Sequence, residues 1–307
     1  MIKRMVFWLK KNIKISGYQG KESVHTRSIN QFIDLINHQF TISFIEDITS
    51  YNQKASELIK QTQNGEINIS YLFSSYFTNL IPELSYLDLP FYFNDKDHAF
   101  NDLNHNLKPF ICDELKNKHN LILLGFWDNG TRHISSSKNF INTLNDCKGQ
   151  IIRTTPNQLH IDTFKGFGFI PKPLDVLDFK DALSNGYLDA QENPITNYYQ
   201  FKVYETQKYF TKTSHVHGFC LFIINKDYFE ELSHDEKDLL TNSANIINSF
   251  QKNLAIEEEE KLFKKIISKN VKISKISLEN KSRFKKISKN FHNDFFKKFK
   301  IFNNSIN

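Results

Sequence analysis

Between residues 12 and 75 the chain alternates strand and helix patterns, and this constrains its fold more than any other feature. NIKISGYQ reads as a strand running into a glycine-containing loop. SVHTRSINQFIDLINHQF reads as an amphipathic helix with Ile29, Phe32, Ile33 and Ile36 on one face. FTISFIED alternates as a second strand, SYNQKASELIKQTQNG is a helix closed at Gly65, and EINISYLFSS is a third strand. A β-α-β-α-β run places crossover helices between parallel strands, so it predicts a parallel sheet covered by helices. At 307 residues the chain can hold about two units of this size.

The pattern resumes after an aromatic-rich segment with two prolines, YFTNLIPELSYLDLPFYFNDKDHAFNDL, which leads into another helix. Leu121–Phe126 is a very apolar strand, with a turn expected after it. NTLNDCKGQIIRTTPN gives a short helix, a glycine stop and a strand. NQLHIDTFKGFG is a helix, FIPKPLDV a strand-like connection and LDFKDALSNG a helix. A second α/β unit thus occupies roughly residues 130–215, followed by the apolar strand GFCLFIINKDYF. From Ser233 a helical period persists for more than 30 residues, opened by a capping box between Ser233 and Glu236. A helix this long can lie across two domains and tie them together.

Composition excludes several classes. No run approaches the ~20 apolar residues of a membrane span. The N-terminal MIKRMVFWLKKN starts with positive charge, but its apolar stretch, Met5–Leu9, is shorter than an export signal requires. Cys112, Cys147 and Cys220 form no C-x-x-C pair and do not suggest a disulfide framework. The net charge of +6 gathers in residues 261–300, where lysines alternate with Phe, Ile and Leu. That pattern reads as the polar face of packed terminal elements rather than a nucleic-acid-binding tail.

Common catalytic signatures are missing: there is no G-x-S-x-G, H-E-x-x-H or G-x-x-x-x-G-K, and Gly166-Phe167-Gly168 lacks the third glycine of a dinucleotide fingerprint. His215-Val216-His217 puts two rings on one strand face, without an acidic or cysteine neighbour in sequence to complete a metal site. Arginines are few among the lysines, and Arg132 and Arg153 fall at the ends of expected strands or their turns. A guanidinium fork matches a carboxylate in a way an ammonium cannot. In open α/β sheets ligands bind beyond the carboxyl ends of strands, so both are candidate anion receptors. NGYLDAQENPITNYYQ (185–200) closes a helix at Gly186 and then concentrates two carboxylates, two amides and Pro194.

Together, LDLPF, GTRH, KGQIIR and ALSNGYLDAQENP resemble the solute-binding proteins of tripartite ATP-independent periplasmic (TRAP) transporters, of the dicarboxylate-binding (DctP) type. The resemblance runs over nearly the whole chain after about residue 13. It implies a periplasmic-binding-protein-like α/β fold: two α/β domains, a ligand cleft between them and a long helix spanning both. It implies that Arg153 forms a bidentate salt bridge with a ligand carboxylate, that Arg132 and Asn193 are further contacts, and that Phe73 and Ser74 line the cleft from the first domain. Val176 stands where many members place an aromatic residue. DITSYNQ replaces a Q-L-G turn, so contacts there do not carry over.

The expected domains are residues 13–129 with 216–252, and 130–215 with 253–307, preceded by a 1–12 segment that could be the remnant of an export signal. A buried carboxylate needs pairing and hydrogen bonds. Arg153, Arg132 and Asn193 would supply these, with Trp127, Phe73, Tyr198 and Tyr199 excluding water, and Asp189 and Glu192 holding the turn. The expected ligand is a small organic acid, a C4-dicarboxylate or a relative, and the expected partner a TRAP permease in the membrane. No cofactor, metal, nucleic acid or catalysis is expected, the chain is expected to be a monomer, and its place is periplasmic. Two other readings stay open: an enzyme using Glu192 or His215 as acid/base, and an intracellular sensor or scaffold.

Overall fold

The computed structural model describes residues 10–299; Met5–Leu9 and the last residues of the basic segment lie outside them. The strands are β1 (Lys11–Ser16), β2 (Phe40–Ile45), β3 (Ile69–Phe73), β4 (Leu121–Ser136), β5 (Ile151–Thr154), β6 (Ile170–Pro173), β7 (Ala190–Pro194), β8 (Tyr209–Asn225) and β9 (Lys272–Lys275). They form one sheet in the order β2-β1-β3-β8-β4-β7-β5-β6, with β9 added beside β8. As the sequence predicts, β1 pairs in parallel with both β2 and β3. The helix Val24–Ile36 covers them with Ile29, Phe32 and Ile36 fully buried.

Two long antiparallel strands, β4 and β8, run through the middle and belong to both halves of the sheet. Leu121–Asp128 pairs with Phe219–Asn225 beside β3, while Arg132–Ser136 pairs with the start of β8 beside β7. The expected turn after Phe126 is therefore not a turn. Asp128 and Gly130 pair with Phe219 and Gly218, leaving Asn129 as an extra residue. Such a bulge bends a strand and re-aims side chains without ending the pairing. The Asp128 carboxylate accepts from the Gly130 N–H at 2.7 Å, and Gly130 has φ +87°, a conformation glycine adopts without strain.

The helix His234–Ile267 opens with the predicted capping box: Ser233 N–H donates to Glu236 Oε2 at 2.7 Å, and Glu236 N–H to Ser233 Oγ at 3.3 Å. It ties the two halves together. Asn248 donates to the Leu124 carbonyl, and Gln251 bonds both the N–H and the carbonyl of Asp128. Further along, Phe263 meets His133, and Lys265 sits over the Tyr199 ring. Among the described residues no helix is long and apolar enough to cross a membrane.

Candidate functional site

Strand order brings together what sequence holds apart. β4, β7 and β5 are neighbours: Arg132 pairs with Pro194, His133 with Asn193, and Arg153 with Gln191. Arg132, Arg153 and Asn193 thus meet at one small cavity of about 10 Å3, room for about one water, between the halves of the sheet. Tyr18, Phe73 and Tyr76 line it from the β1–β3 side. Thr155, Val176, Asn197 and Phe201 line it from the other, with Asn129 at the bulge.

The two arginines differ in kind. Arg132 is 1% exposed and already has its carboxylate: Nε lies 2.5 Å from Glu192 Oε2 and Nη2 2.6 Å from Oε1, while Nη2 also donates to the Glu192 carbonyl. Its guanidinium carbon stacks 4.7 Å from the Phe73 ring centroid. Glu192 also meets His215 Nε2 at 3.4 Å and His160 Nδ1 at 3.5 Å. Burial would raise the Glu192 pKa, but Arg132 and His160 outweigh it and hold the carboxyl well below its usual range. Burial likewise opposes a charge on His160, yet Asp88, 3.2 Å from Nε2, and Glu192 carry its pKa up to about 9. His160 is therefore an imidazolium at neutral pH, and these four groups balance one another.

Arg153 is 2% exposed and has no carboxylate within 4 Å among the described residues. Nε and Nη2 both donate to one backbone carbonyl, that of Leu174, at 3.0 and 2.6 Å, and the guanidinium packs 4.9 Å over Phe179. A buried cation without a counter-charge is costly unless something completes it. Nearby polar atoms are also unmet. Tyr76 Oη and Asn129 Nδ2 line the cavity, buried without hydrogen-bond partners, as is the carbonyl oxygen of the adjoining Gln19 side chain. Gln19 Nε2 donates to Asn197 Oδ1 at 3.0 Å and to Tyr18 Oη at 3.2 Å. Native interiors leave few such groups unsatisfied, and clusters of them point to a ligand.

Other expected positions lie elsewhere. Trp127 does not line the cavity: it is fully buried, stacks on Phe222 at 4.4 Å and donates to Asn248 on the long helix. Tyr198 is in the core, with its hydroxyl donating to the Gln207 carbonyl at 2.7 Å and its ring against Phe210. Tyr199 stacks on Tyr204. Ser74 is buried directly after β3 and is not part of the lining. Phe73, Val176 and Asn193 do line it. Asn193, however, is engaged: Nδ2 donates to Gln191 Oε1 at 2.6 Å, and Oδ1 lies 3.4 Å from Arg132 Nη2.

Asp189 and Glu192 hold structure, as the sequence suggests. Asp189 accepts from the Ile151 N–H and pairs with Lys138. Glu192 is bound to Arg132, and His215 lies between Glu192, 3.4 Å from its Nε2, and Thr213 Oγ1, 2.7 Å from its Nδ1, so both groups considered for acid/base chemistry are engaged within the protein. His217 bonds Thr131 Oγ1 at 3.2 Å, and no group of three or more metal-ligating side chains occurs among the described residues.

Sequence reading missed Tyr18, Tyr76, Asn129, Thr155, Asn197 and Phe201. Two had a usable signal: Asn197 is one helical turn past Asn193, and Asn129 sits in the same D-N-G-T-R run as Arg132.

Across the cavity mouth, Asp175 reaches from the N-cap of the helix Val176–Ser184 to the opposite half. Its carboxylate accepts from the Ala55 and Ser56 N–H groups at 3.0 and 3.1 Å and from Leu177 in its own helix. Lys180 of that helix bonds Asp47 and Thr49, and Lys54 pairs with Asp178.

A mixed α/β sheet shared by two lobes, tied by one long helix, with a buried cavity and an unpaired arginine between them, defines a cleft-type binding protein. The family comparison agrees: residues 20–298 match the model for bacterial extracellular solute-binding protein, family 7 (DctP), and the chain belongs to that family. Among relatives, the 2,3-diketo-L-gulonate-binding periplasmic protein YiaO of Escherichia coli is 31% identical over 80% of this chain and 76% of its own. The C4-dicarboxylate-binding protein DctB of Bacillus subtilis is 27% identical over 88% and 77%. Among solved structures, the sugar acid binding protein DctPAm of Advenella mimigardefordensis, in complex with galactonate, superposes with a TM-score of 0.89 at 26% identity, covering 94% of each chain. A TRAP periplasmic solute-binding protein of Sulfurospirillum deleyianum with bound succinate gives 0.87 at 26% identity, covering 94% and 96%.

Proposed function

We propose that this chain captures a small organic acid by its carboxylate on Arg153 and delivers it, outside the cytoplasm, to the permease of a TRAP transporter. The observation that carries this reading is the contrast between the two buried arginines: Arg132 is neutralised by Glu192, whereas among the described residues Arg153 meets a backbone carbonyl and the Phe179 ring but no carboxylate. A ligand carboxylate completes Arg153 by charge and by geometry. The lobes, divided near residues 129–130 and 215–216, close over it through Asp175 and Lys180, and exclusion of water strengthens the ion pair. The ligand favours the closed form only by its differential affinity for it. Membership in a solute-binding family and the unmet polar groups around the cavity support the same reading.

The test is ligand-dependent melting across a panel of organic acids. An acid present at ~1,000 times its dissociation constant raises stability by about 4 kcal/mol. Arg153→Ala removes the shift. An absence of any shift across mono- and dicarboxylates of two to nine carbons, or a shift retained in Arg153→Ala, overturns the assignment.

A further inference from the structure

Charge is divided unevenly along this chain. Residues 261–300 hold fourteen Lys and Arg against Glu279 and Asp294, a net of +12 in a protein whose total is +6, so the remainder is −6. A general richness in lysine would raise the whole surface, not one segment. In the fold this segment is the end of the long helix, β9 and the helix Leu278–Lys298. Among its described residues only Lys261 and Arg283 have a carboxylate within 4 Å, each on its own helix one turn away.

Packing gathers the unpaired lysines on one face. The helix Leu278–Lys298 turns Phe284, Ser288 and Phe295 inward, and its opposite arc carries Arg283, Lys285, Lys286, Lys289 and Lys297, all exposed. Strand pairing extends that arc: β9 lies parallel to the start of β8, with Lys275 opposite Lys212. Burial lowers the Lys281 pKa, and the neighbouring Lys285 and Lys275 lower it further. Burial also lowers that of Lys212, against the pull of Glu259, with Lys275 adding to the drop. Lys212, Lys275, Lys281 and Lys285 thus form a chain of like charges across three elements. Such crowding works against the compact state unless an anion shares the surface.

Surface chemistry narrows the anion. Nucleic acid is held by arginine forks and by bare aromatic rings on which bases stack. This segment has one arginine, and Phe284 and Phe295 are buried. An anionic bilayer needs neither feature. It takes a broad field of ammonium groups and an apolar side chain that can enter its headgroup layer. Leu278 is 87% exposed at the opening of the helix, three residues from both Lys275 and Lys281. With 21 residues the helix is about 30 Å long, enough to lay its charged arc across several headgroups.

We infer that the lysine-rich face built by the start of β8, β9 and the helix Leu278–Lys298 docks on an anionic bilayer, with Leu278 entering the headgroup layer. The contact holds the protein at a membrane surface by charge and does not depend on which acid the cavity takes.

Co-sedimentation of the full chain with extruded vesicles tests this. Phosphatidylcholine vesicles are compared with vesicles containing 30% phosphatidylglycerol, at 25 and 300 mM NaCl. Binding is expected only with phosphatidylglycerol, and is expected to fall at least tenfold at the higher salt, where exposed charges are screened. Each lysine near an anionic surface is worth about fivefold in partition. Lys275→Glu/Lys281→Glu/Lys285→Glu is therefore expected to lose about a hundredfold or more, with an unchanged far-ultraviolet circular dichroism spectrum. Lys21→Glu/Lys60→Glu/Lys116→Glu makes the same change in net charge at exposed positions elsewhere and is expected to retain most of the binding. No binding to anionic vesicles at 25 mM NaCl, equal binding to neutral vesicles, or equal loss in both triple variants overturns the inference. Tighter binding to a 20-base-pair duplex than to the anionic vesicles overturns it as well, and reassigns the face to nucleic acid. Leu278→Ser is expected to weaken vesicle binding at least threefold; unchanged binding overturns the role given to Leu278.

Discussion

Replacing Glu192 with Gln separates structural from receptive charge in this site. The substitution keeps volume and shape but leaves Arg132, 1% exposed, without its counter-ion. It also weakens both links of the Nε–Oε2 and Nη2–Oε1 fork, at 2.5 and 2.6 Å, and removes one of the two carboxylates that hold His160 protonated. Stranding one member of a buried ion pair costs about 3–5 kcal/mol. For a protein of this size, at roughly 2–4 °C per kcal/mol, the melting temperature is expected to fall by about 6–20 °C. The assay is thermal denaturation by circular dichroism at pH 7, with Glu192→Leu, Arg132→Met and the Arg132→Met/Glu192→Leu double variant forming a cycle. The double variant is expected to be more stable than either charge-stranding single variant, because a well-packed apolar pair leaves no buried charge. A Glu192→Gln protein melting within about 2 °C of the wild type, or a cycle without coupling, refutes the reasoning, since on this scale either result leaves the pair worth under about 1 kcal/mol.

Arg153→Ala is expected to behave oppositely, with a melting temperature without ligand no lower than that of the wild type, because it removes a buried cation that has no carboxylate; a drop as large as that of Glu192→Gln argues against this. Asp175→Ala removes three charge-assisted hydrogen bonds, two of them across the cavity mouth, and is expected to weaken ligand affinity about tenfold or more through faster dissociation, read by stopped-flow fluorescence. His160, raised from 6.5 to about 9, contributes stability that is complete below about pH 6.5 and is lost as pH rises through 9, a span worth about 3 kcal/mol. Glu192, held low, contributes stability above the ordinary carboxylate range that is lost as pH falls below it. Urea denaturation from pH 4 to 10 should therefore show a decline above pH 6.5 that His160→Gln abolishes; a decline of equal size in that variant excludes His160 as its source.

The parallel β1–β3 unit, its covering helix and the long capped helix were legible because each rests on local signals: apolar period, a glycine stop, or a Ser-x-x-Glu box. From sequence the strand that starts at Leu121 ends near Phe126, because D-N-G-T is good turn chemistry, whereas in the fold it runs to Ser136. Pairing with β8 along the whole length overrides that preference and converts the turn into a bulge. The same bulge sends Trp127 into the core and leaves Asn129 at the cavity, a two-residue difference that periodicity could not reveal.

By itself the sequence determined the fold class, the family resemblance and the identity of the candidate arginines, since guanidinium chemistry and motif spacing are written in the chain. Only the tertiary structure decided which arginine is free. Arg132 and Glu192 are sixty residues apart and meet because β4 and β7 are antiparallel neighbours, while Arg153 on β5 faces Leu174 and Phe179. Whether a buried charge is compensated depends on what lies within a few ångströms of it. That is set by strand order, which local sequence does not encode.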